Sequence, residues 1–265
     1  MINVPTMAEM AAANETPDIL FWVGCAGSFD QRAQKVTRAF VKILNHLNIK
    51  FAVLGTEESC TGDPAKRAGN EFVFQMVALQ NIEVMNSYGV KKIVTTCPHC
   101  FNIIKNEYPS LGGQYEVIHH ATFLQKLIDE GKIKLTDTNS FKGKRITYHD
   151  SCYLGRGNEI YEAPRKVLEE LDAELVEMKS CGNKGLCCGA GGAQMWKEEE
   201  AGKKRINVAR IEEAIEVKAN IVASACPFCN TMLTDGVKAK DRLDVKVFDI
   251  AELLAAGQGL ESINF

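Results

Sequence analysis

Two short stretches of this chain, Cys97-Pro98-His99-Cys100 and Cys226-Pro227-Phe228-Cys229, each set a pair of thiols three residues apart. That spacing serves a metal ion, an iron–sulfur centre or a dithiol–disulfide couple. A third stretch, GLCCGAGGAQMW, carries the adjacent Cys187 and Cys188. Neighbouring cysteines close a disulfide only as a strained ring, because the geometry of the bond is narrow. Their use must lie with thiols elsewhere in the chain: Cys25, Cys60, Cys152 and Cys181 complete the ten.

The elements that position these thiols come twice. ILFWVGC ends at Cys25, and Ser28 with Gln31 reads as a capping box opening a helix to about Leu47. KFAVLG is a second strand, a loop carries Cys60, and one helix is expected from Pro64 to Gly89. KKIVTTC ends at Cys97, Pro98 starts a helix, and YEVIHH and ATFLQKLIDEG add a strand and a helix. The second half repeats the order: RITYHDSC to Cys152, a helix around Pro164, ELVEM, the loop with Cys181, Cys187 and Cys188, and a long charged helix from about Met195. NIVASAC to Cys226, the helix from Pro227, KVFDI and AELLAAG close it. Cys25 to Cys152 is 127 residues, Cys60 to Cys188 is 128 and Cys97 to Cys226 is 129, the mark of an internal duplication.

The expected fold is therefore α/β, two tandem Rossmann-like halves at 18–140 and 144–265, each a mostly parallel sheet flanked by helices, joined through the polar stretch TDTNSFKGK. In such a sheet every strand's carboxyl end lies on one edge, where ligands bind. Nine cysteines follow strands and meet there, and Cys181 reads as a bystander. Four bare thiolates at ~4 Å and an effective dielectric of ~20 repel by roughly 4 kcal/mol per pair, about 24 kcal/mol over all pairs. A domain is held folded by only ~5–15 kcal/mol, so protonation, a disulfide or a metal is required. Soft thiolates select zinc, Cu(I) or iron–sulfur centres. Four ligands in the first half suit zinc or a cubane cluster, whereas five in the second fit neither simply; the adjacent pair lets one loop grip two metals, or one cluster at two irons.

Composition narrows the remainder. At 265 residues, 46% hydrophobic and 25% charged, with a net charge of −3, the chain is an ordinary globular one without the basic stripe of a nucleic-acid binder. MINVPTMAEMAAANETP has neither a positive nor an apolar leader segment, and no run of 18 apolar residues occurs, so a soluble cytoplasmic protein is expected, not an integral membrane protein. No GxGxxG follows a strand, so any flavin or nicotinamide is expected on a partner. A thioredoxin reading of the second CxxC pair lacks the downstream proline: none follows Pro227. Trp22 and Trp196 read as core, KEEEAGKKR as a solvated helix face, and His99 as an exposed histidine. His119, His120 and His149 read as packing or hydrogen-bonding residues, His149 being placed to tune a centre at Cys152.

These motifs resemble the CCG, or cysteine-rich, domain family: the cysteine-rich chain of heterodisulfide reductase and the iron–sulfur subunits of lactate, glycolate and glycerol-3-phosphate oxidation complexes. YHDSCYLGR, CCGAGGAQMW and ACPFCNTMLTDGVKAK are most similar to the iron–sulfur oxidoreductases that accompany electron-transferring flavoproteins. The resemblance implies a non-cubane [4Fe-4S] cluster on Cys152, Cys187, Cys188, Cys226 and Cys229. In the first half Ser59 is read at the place of a motif Cys and Thr61 at that of the motif Gly, leaving zinc, a cubane cluster or an altered cluster open for Cys25, Cys60, Cys97 and Cys100. The implied function is an electron-transfer subunit of a heterodisulfide-reductase-like complex, with a ferredoxin-like iron–sulfur subunit and a flavoprotein as partners and room for association with a quinone-linked complex. Two rivals are direct reduction of a disulfide or thiol substrate at the cluster, and a zinc-stabilised scaffold without redox role. No catalytic residue is assigned.

Overall fold

The structure, a computed structural model, describes residues 2–136, 140–198 and 201–263. The first half contains β1 (Ile19–Trp22), β2 (Phe51–Ala52), β3 (Lys92–Thr95) and β4 (Glu116–His119), the second β5 (Arg145–Tyr148), β6 (Glu174–Leu175), β7 (Ile221–Ser224) and β8 (Lys246–Asp249). Its helices are α1 (Met7–Ala12), α2 (Gly24–Phe29), α3 (Gln31–His46), α4 (Asp63–Arg67), α5 (Glu71–Ser87), α6 (Pro98–Asn106), α7 (His120–Asp129), α8 (Gly155–Asn158), α9 (Glu162–Glu169), α10 (Ile206–Glu216), α11 (Pro227–Ala239) and α12 (Ile250–Gly257). Each half is one four-stranded sheet, in the orders β2-β1-β3-β4 and β6-β5-β7-β8, and every pairing is parallel. The central strands are short apolar runs, as parallel strands covered on both faces require.

The halves share their largest core. One apolar cluster runs from Phe21, Phe40 and Leu124 in the first half to Tyr148, Val167 and Leu254 in the second, and each half adds a satellite cluster on its other side. Polar ties cross the same seam. Arg32 on α3 holds Glu252 through both nitrogens (2.9 and 2.7 Å) and the Val247 carbonyl (2.9 Å).

Several sequence expectations need correction. Ser28 lies inside α2 and donates to the Gly24 carbonyl; α3 is capped by Asp30, whose carboxylate accepts from Ala33 N–H. The helix expected from Pro64 to Gly89 is two, α4 and α5, because Gly69 takes φ +86° and Asn70 starts a new cap. The charged helix expected from Met195 begins at Ile206; a single 3-10 turn covers Gln194–Trp196, and 199–200 lie outside the described residues. The expected junction at 136–144 falls partly on 137–139, also outside them. Trp196 is no core residue, at 64% exposure, whereas His99 is only 7% exposed. No described helix is long and apolar enough to cross a membrane.

Candidate functional site

Parallel strands deliver the thiols to one edge of each sheet. Cys25 lies in α2 just past β1, and Cys152 follows β5. Cys97 and Cys226 are the N-cap residues of α6 and α11, with Pro98 and Pro227 in the first turn, so Cys100 and Cys229 face back from that turn. Loops bring in Cys60, Cys187 and Cys188.

Two sulfur pockets result. In the first, Cys25 is within hydrogen-bonding reach of Cys60, and Cys97 of Cys100. In the second, Cys187 reaches both Cys152 and Cys188, Cys229 lies 3.4 Å from Cys188 Sγ to Sγ, and Cys226 reaches Cys229. The pockets face one another, for Cys97 is close enough to Cys226 to act on its charge. Cys181 stands apart, half-buried, with the charges of Glu177, Arg165, Asp150 and Arg210 acting on it.

Charge is divided unevenly within each pocket. Cys60 is drawn down to about 6 by the Cys25 thiol and the Gly62 amide, against the cost of burial, and Cys25 is pushed up in return. Cys187 is lowered by the Cys152 and Cys188 thiols and the Gly189 amide, against the cost of burial. Burial raises Cys226 to about 11. Burial also opposes charge on Cys97, but the Cys100 thiol, the nearby His99 and the first amides of α6 prevail.

The superposition of the halves differs from the one expected. Gly62 and Gly189 both turn left-handed, at φ +87° and +92°, and are 127 residues apart. The amide of Gly62 donates to Cys60 Sγ (3.5 Å) and that of Gly189 to Cys187 Sγ (3.2 Å). Cys60 therefore corresponds to Cys187, not Cys188, and Cys60-Thr61-Gly62 is the first-half form of Cys187-Cys188-Gly189. Thr61, not Ser59, stands where a motif cysteine would, and the motif glycine is present as Gly62. The equal offset of Cys25 and Cys152 was the available signal.

Glu58 and Arg210 escaped the sequence reading, whereas His99 and His149 are named in it. Glu58, half-buried and near enough to Cys60 to feel its charge, accepts from Val23 N–H (3.0 Å) and Gly24 N–H (2.5 Å); desolvation raises it to about 7 despite those donors. His99 bonds Asp63 (2.8 Å) and lies under Tyr153 and Phe228 of the second half, ring centres 4.4 and 4.9 Å away. A ring nitrogen of His149 lies within 4.8 Å of the Cys188 and Cys229 sulfurs. Its Nδ1 accepts from Nε of the wholly buried Arg210 (3.0 Å), which also holds the Ser180 carbonyl and Glu213 (both 2.6 Å). Because guanidinium only donates, His149 is the neutral tautomer with its proton on Nε2. Burial and the Arg210 charge lower it to about 3.

The donor set fits a thiophilic metal group in both pockets. Beside Cys229 lies the buried hydroxyl of Ser151, which acts on that sulfur, and in the first half the buried indole Nε1 of Trp22, 127 residues before His149, has no hydrogen-bond partner among the described residues. Backbone clears space: a Cβ on Gly24, at φ +78°, would stand 3.2 Å from Cys100 Sγ, and one on Gly191 3.8 Å from Cys152 Sγ. Between the halves an apolar cleft of about 330 Å³ reaches Cys25, lined by Phe29, Met195, Trp196 and Phe228.

Known proteins share this pattern. The profile of the cysteine-rich domain, CCG, matches residues 19–105 and 146–234. The chain is 48% identical over 259 residues to the "Probable iron-sulfur-binding oxidoreductase FadF" of Bacillus subtilis, covering 96% of this chain and 36% of that protein. It is 46% identical over 244 residues to the EtfAB:quinone oxidoreductase of Syntrophomonas wolfei, covering 89% and 34%. Against one chain of the dihydromethanophenazine:CoB–CoM heterodisulfide reductase of Methanosarcina barkeri it is 39% identical, covering 92% and 60%. The chain thus spans about a third of the length of the first two relatives. A crystal structure of a hypothetical protein from Helicobacter pylori has the same fold, with a TM-score of 0.62 at 9% identity, over 94% of this chain and 50% of the other. With both sulfur pockets inside the matched segments, the chain belongs to the cysteine-rich (CCG) domain family.

Proposed function

We propose that this chain is an iron–sulfur electron-transfer unit of a heterodisulfide-reductase-like oxidoreductase. The observation that carries the reading is the convergence of five thiols in the second pocket, with Cys188 and Cys229 3.4 Å apart. Cys152, Cys187, Cys188, Cys226 and Cys229 would hold a non-cubane [4Fe-4S] cluster, which passes electrons singly. Cys25, Cys60, Cys97 and Cys100 would hold zinc or a further iron–sulfur cluster. The halves, 18–140 and 144–265, divide these tasks.

The chain's own residues prepare that chemistry. The Gly189 amide steadies charge on Cys187, the Gly62 amide on Cys60, and the His149 ring stands beside the Cys188 and Cys229 sulfurs. A ferredoxin-like subunit and a flavoprotein are the partners this reading calls for, in the cytoplasm and in association with a quinone-linked complex. The apolar cleft above Cys25, rimmed by Phe29 (85% exposed) and Trp196, gives such a partner a route to the first pocket. The same cleft would admit a small disulfide, which keeps direct disulfide or thiol reduction as the second reading.

Anaerobic purification followed by iron, sulfide and zinc counts tests this. Iron and acid-labile sulfide in the second half are expected. Zinc alone in both halves would instead leave a scaffold without redox role.

A further inference from the structure

The first pocket is a copy of the second with one ligand changed, and the change is confined to one side chain of the turn. Cys25 pairs with Cys60 as Cys152 pairs with Cys187. The amide two residues on binds each of these sulfurs, and the same left-handed glycine follows. At the position between, Thr61 Oγ1 points at Cys100 Sγ (3.9 Å), whereas Cys188 Sγ meets Cys229 Sγ (3.4 Å). Both side chains are buried, at 2% and 3% exposure. Backbone, burial and direction agree; a hydroxyl has replaced a thiol.

We propose that Thr61 is the specificity-determining residue of the first pocket, holding it at four sulfur ligands and so to a different occupant from the second. A neutral hydroxyl is a poor ligand for a soft metal, while thiolate selects zinc and iron–sulfur centres. Four thiols complete a tetrahedral ion or a cubane, but a fifth is needed where one loop must reach two irons. Gly24, opposite Cys100, leaves the room that a larger centre would occupy. Cysteine is smaller than threonine, so Thr61→Cys adds a ligand without overpacking. This rests on the reading of the second pocket as a five-thiolate iron–sulfur site.

The test installs the fifth thiol. Chains are purified anaerobically and read by iron, sulfide and zinc content and by electron paramagnetic resonance. Thr61→Cys is expected to raise the second-pocket signal about twofold, since two like pockets then contribute; Thr61→Ser, which keeps the hydroxyl, behaves as wild type. In a Cys188→Ser chain, which loses that signal, adding Thr61→Cys restores it from the first half. The converse, Cys188→Thr, gives the second pocket the occupant that the wild-type first pocket holds, and keeps the test open should Thr61→Cys fold poorly. If the wild type carries iron and Cys188→Ser removes the signal, yet neither Thr61→Cys nor Cys188→Thr changes the occupant of its pocket, Thr61 is not the determinant and the reading of the second pocket stands. A wild type without iron removes the premise and the inference together.

Discussion

His120 Nε2 lies 2.9 Å from Asp249 Oδ1, with both side chains wholly buried, and the bond joins the start of a helix in one half to the end of a strand in the other. Asp249 Oδ1 also accepts from Ala251 N–H (2.9 Å), capping α12, and the Asp249 amide donates to Glu252 (2.8 Å), which is itself held by Arg32. One carboxylate therefore serves a helix cap and the seam between halves. Asp249→Ala should lower stability by about 3–4 kcal/mol, combining a buried charge-assisted bond with a lost cap. Asp249→Asn, which retains a carbonyl acceptor, should cost about 1 kcal/mol. Urea unfolding of the two variants checks the difference; equal losses would remove the role given to the bond.

The same seam makes the fold acid-sensitive. His119 Nδ1 accepts from Ala121 N–H (3.3 Å), its Nε2 lies 3.3 Å from His120 Nδ1, and the ring is wholly buried. Burial first, then the neighbouring His120, hold His119 well below its ordinary value of 6.5. A histidine depressed in this way binds its proton more readily when unfolded. Its contribution is intact above pH 6.5 and is lost as pH falls below it, by about 1.4 kcal/mol per unit for each such histidine. His149, lowered to about 3, adds a second share over the same interval. Glu58, raised to about 7, takes up a proton in the folded chain over that interval and offsets one such share, so His119→Asn, which can still cap α7, should remove most of the decline in urea stability between pH 6.5 and pH 5.5. An unchanged decline would mean that His119 is not buried neutral.

How far the sequence carried these features follows from what each rests on. The thiols, the strands before them and the prolines that open α6 and α11 are local patterns, and the fold places them as the patterns suggest. The split between α4 and α5 rests on Gly69, whose positive φ ends one helix, and on Asn70, whose side chain caps the next. Trp196 and His99 exchanged expected environments because burial was set by the other half: Tyr153 and Phe228 cover His99, while no wall closes over Trp196. Arg210 carried no local signal at all. Its partner His149 lies 61 residues away, and only the fold brings them together. The match of Cys60 to Cys187 was legible in principle, through Gly62, yet a left-handed turn is a property of the backbone.

Arg210 fixes the chemistry that His149 can offer. With Nδ1 bound by the guanidinium, Nε2–H is the donor left to a ring that lies within 4.8 Å of the Cys188 and Cys229 sulfurs. A donor there stabilises electron-rich sulfur and raises the potential of a bound centre. His149→Leu should leave iron and sulfide content unchanged and lower the midpoint potential by about 59 mV, a tenfold shift in the one-electron ratio. His149→Gln, which restores an N–H, should recover part of it. Loss of iron in His149→Leu would mark the ring as a ligand.

Cys181 and Cys188 share one stretch of chain but differ in surroundings. Cys188 is buried against Cys229 and Cys187, whereas Cys181 answers to the charges of Glu177, Arg165, Asp150 and Arg210. Burial and the Glu177 charge raise the Cys181 thiol, so it is a weak nucleophile and a poor ligand. Cys188→Ser should abolish the second-pocket signal in electron paramagnetic resonance, because a serine hydroxyl replaces the thiolate within reach of Cys229. Cys181→Ser should leave signal, iron and sulfide at wild-type levels and cost less than about 0.5 kcal/mol in stability, as surface changes away from special contacts do. The reverse pattern would transfer the ligand role to Cys181 and break the correspondence between the two sulfur pockets.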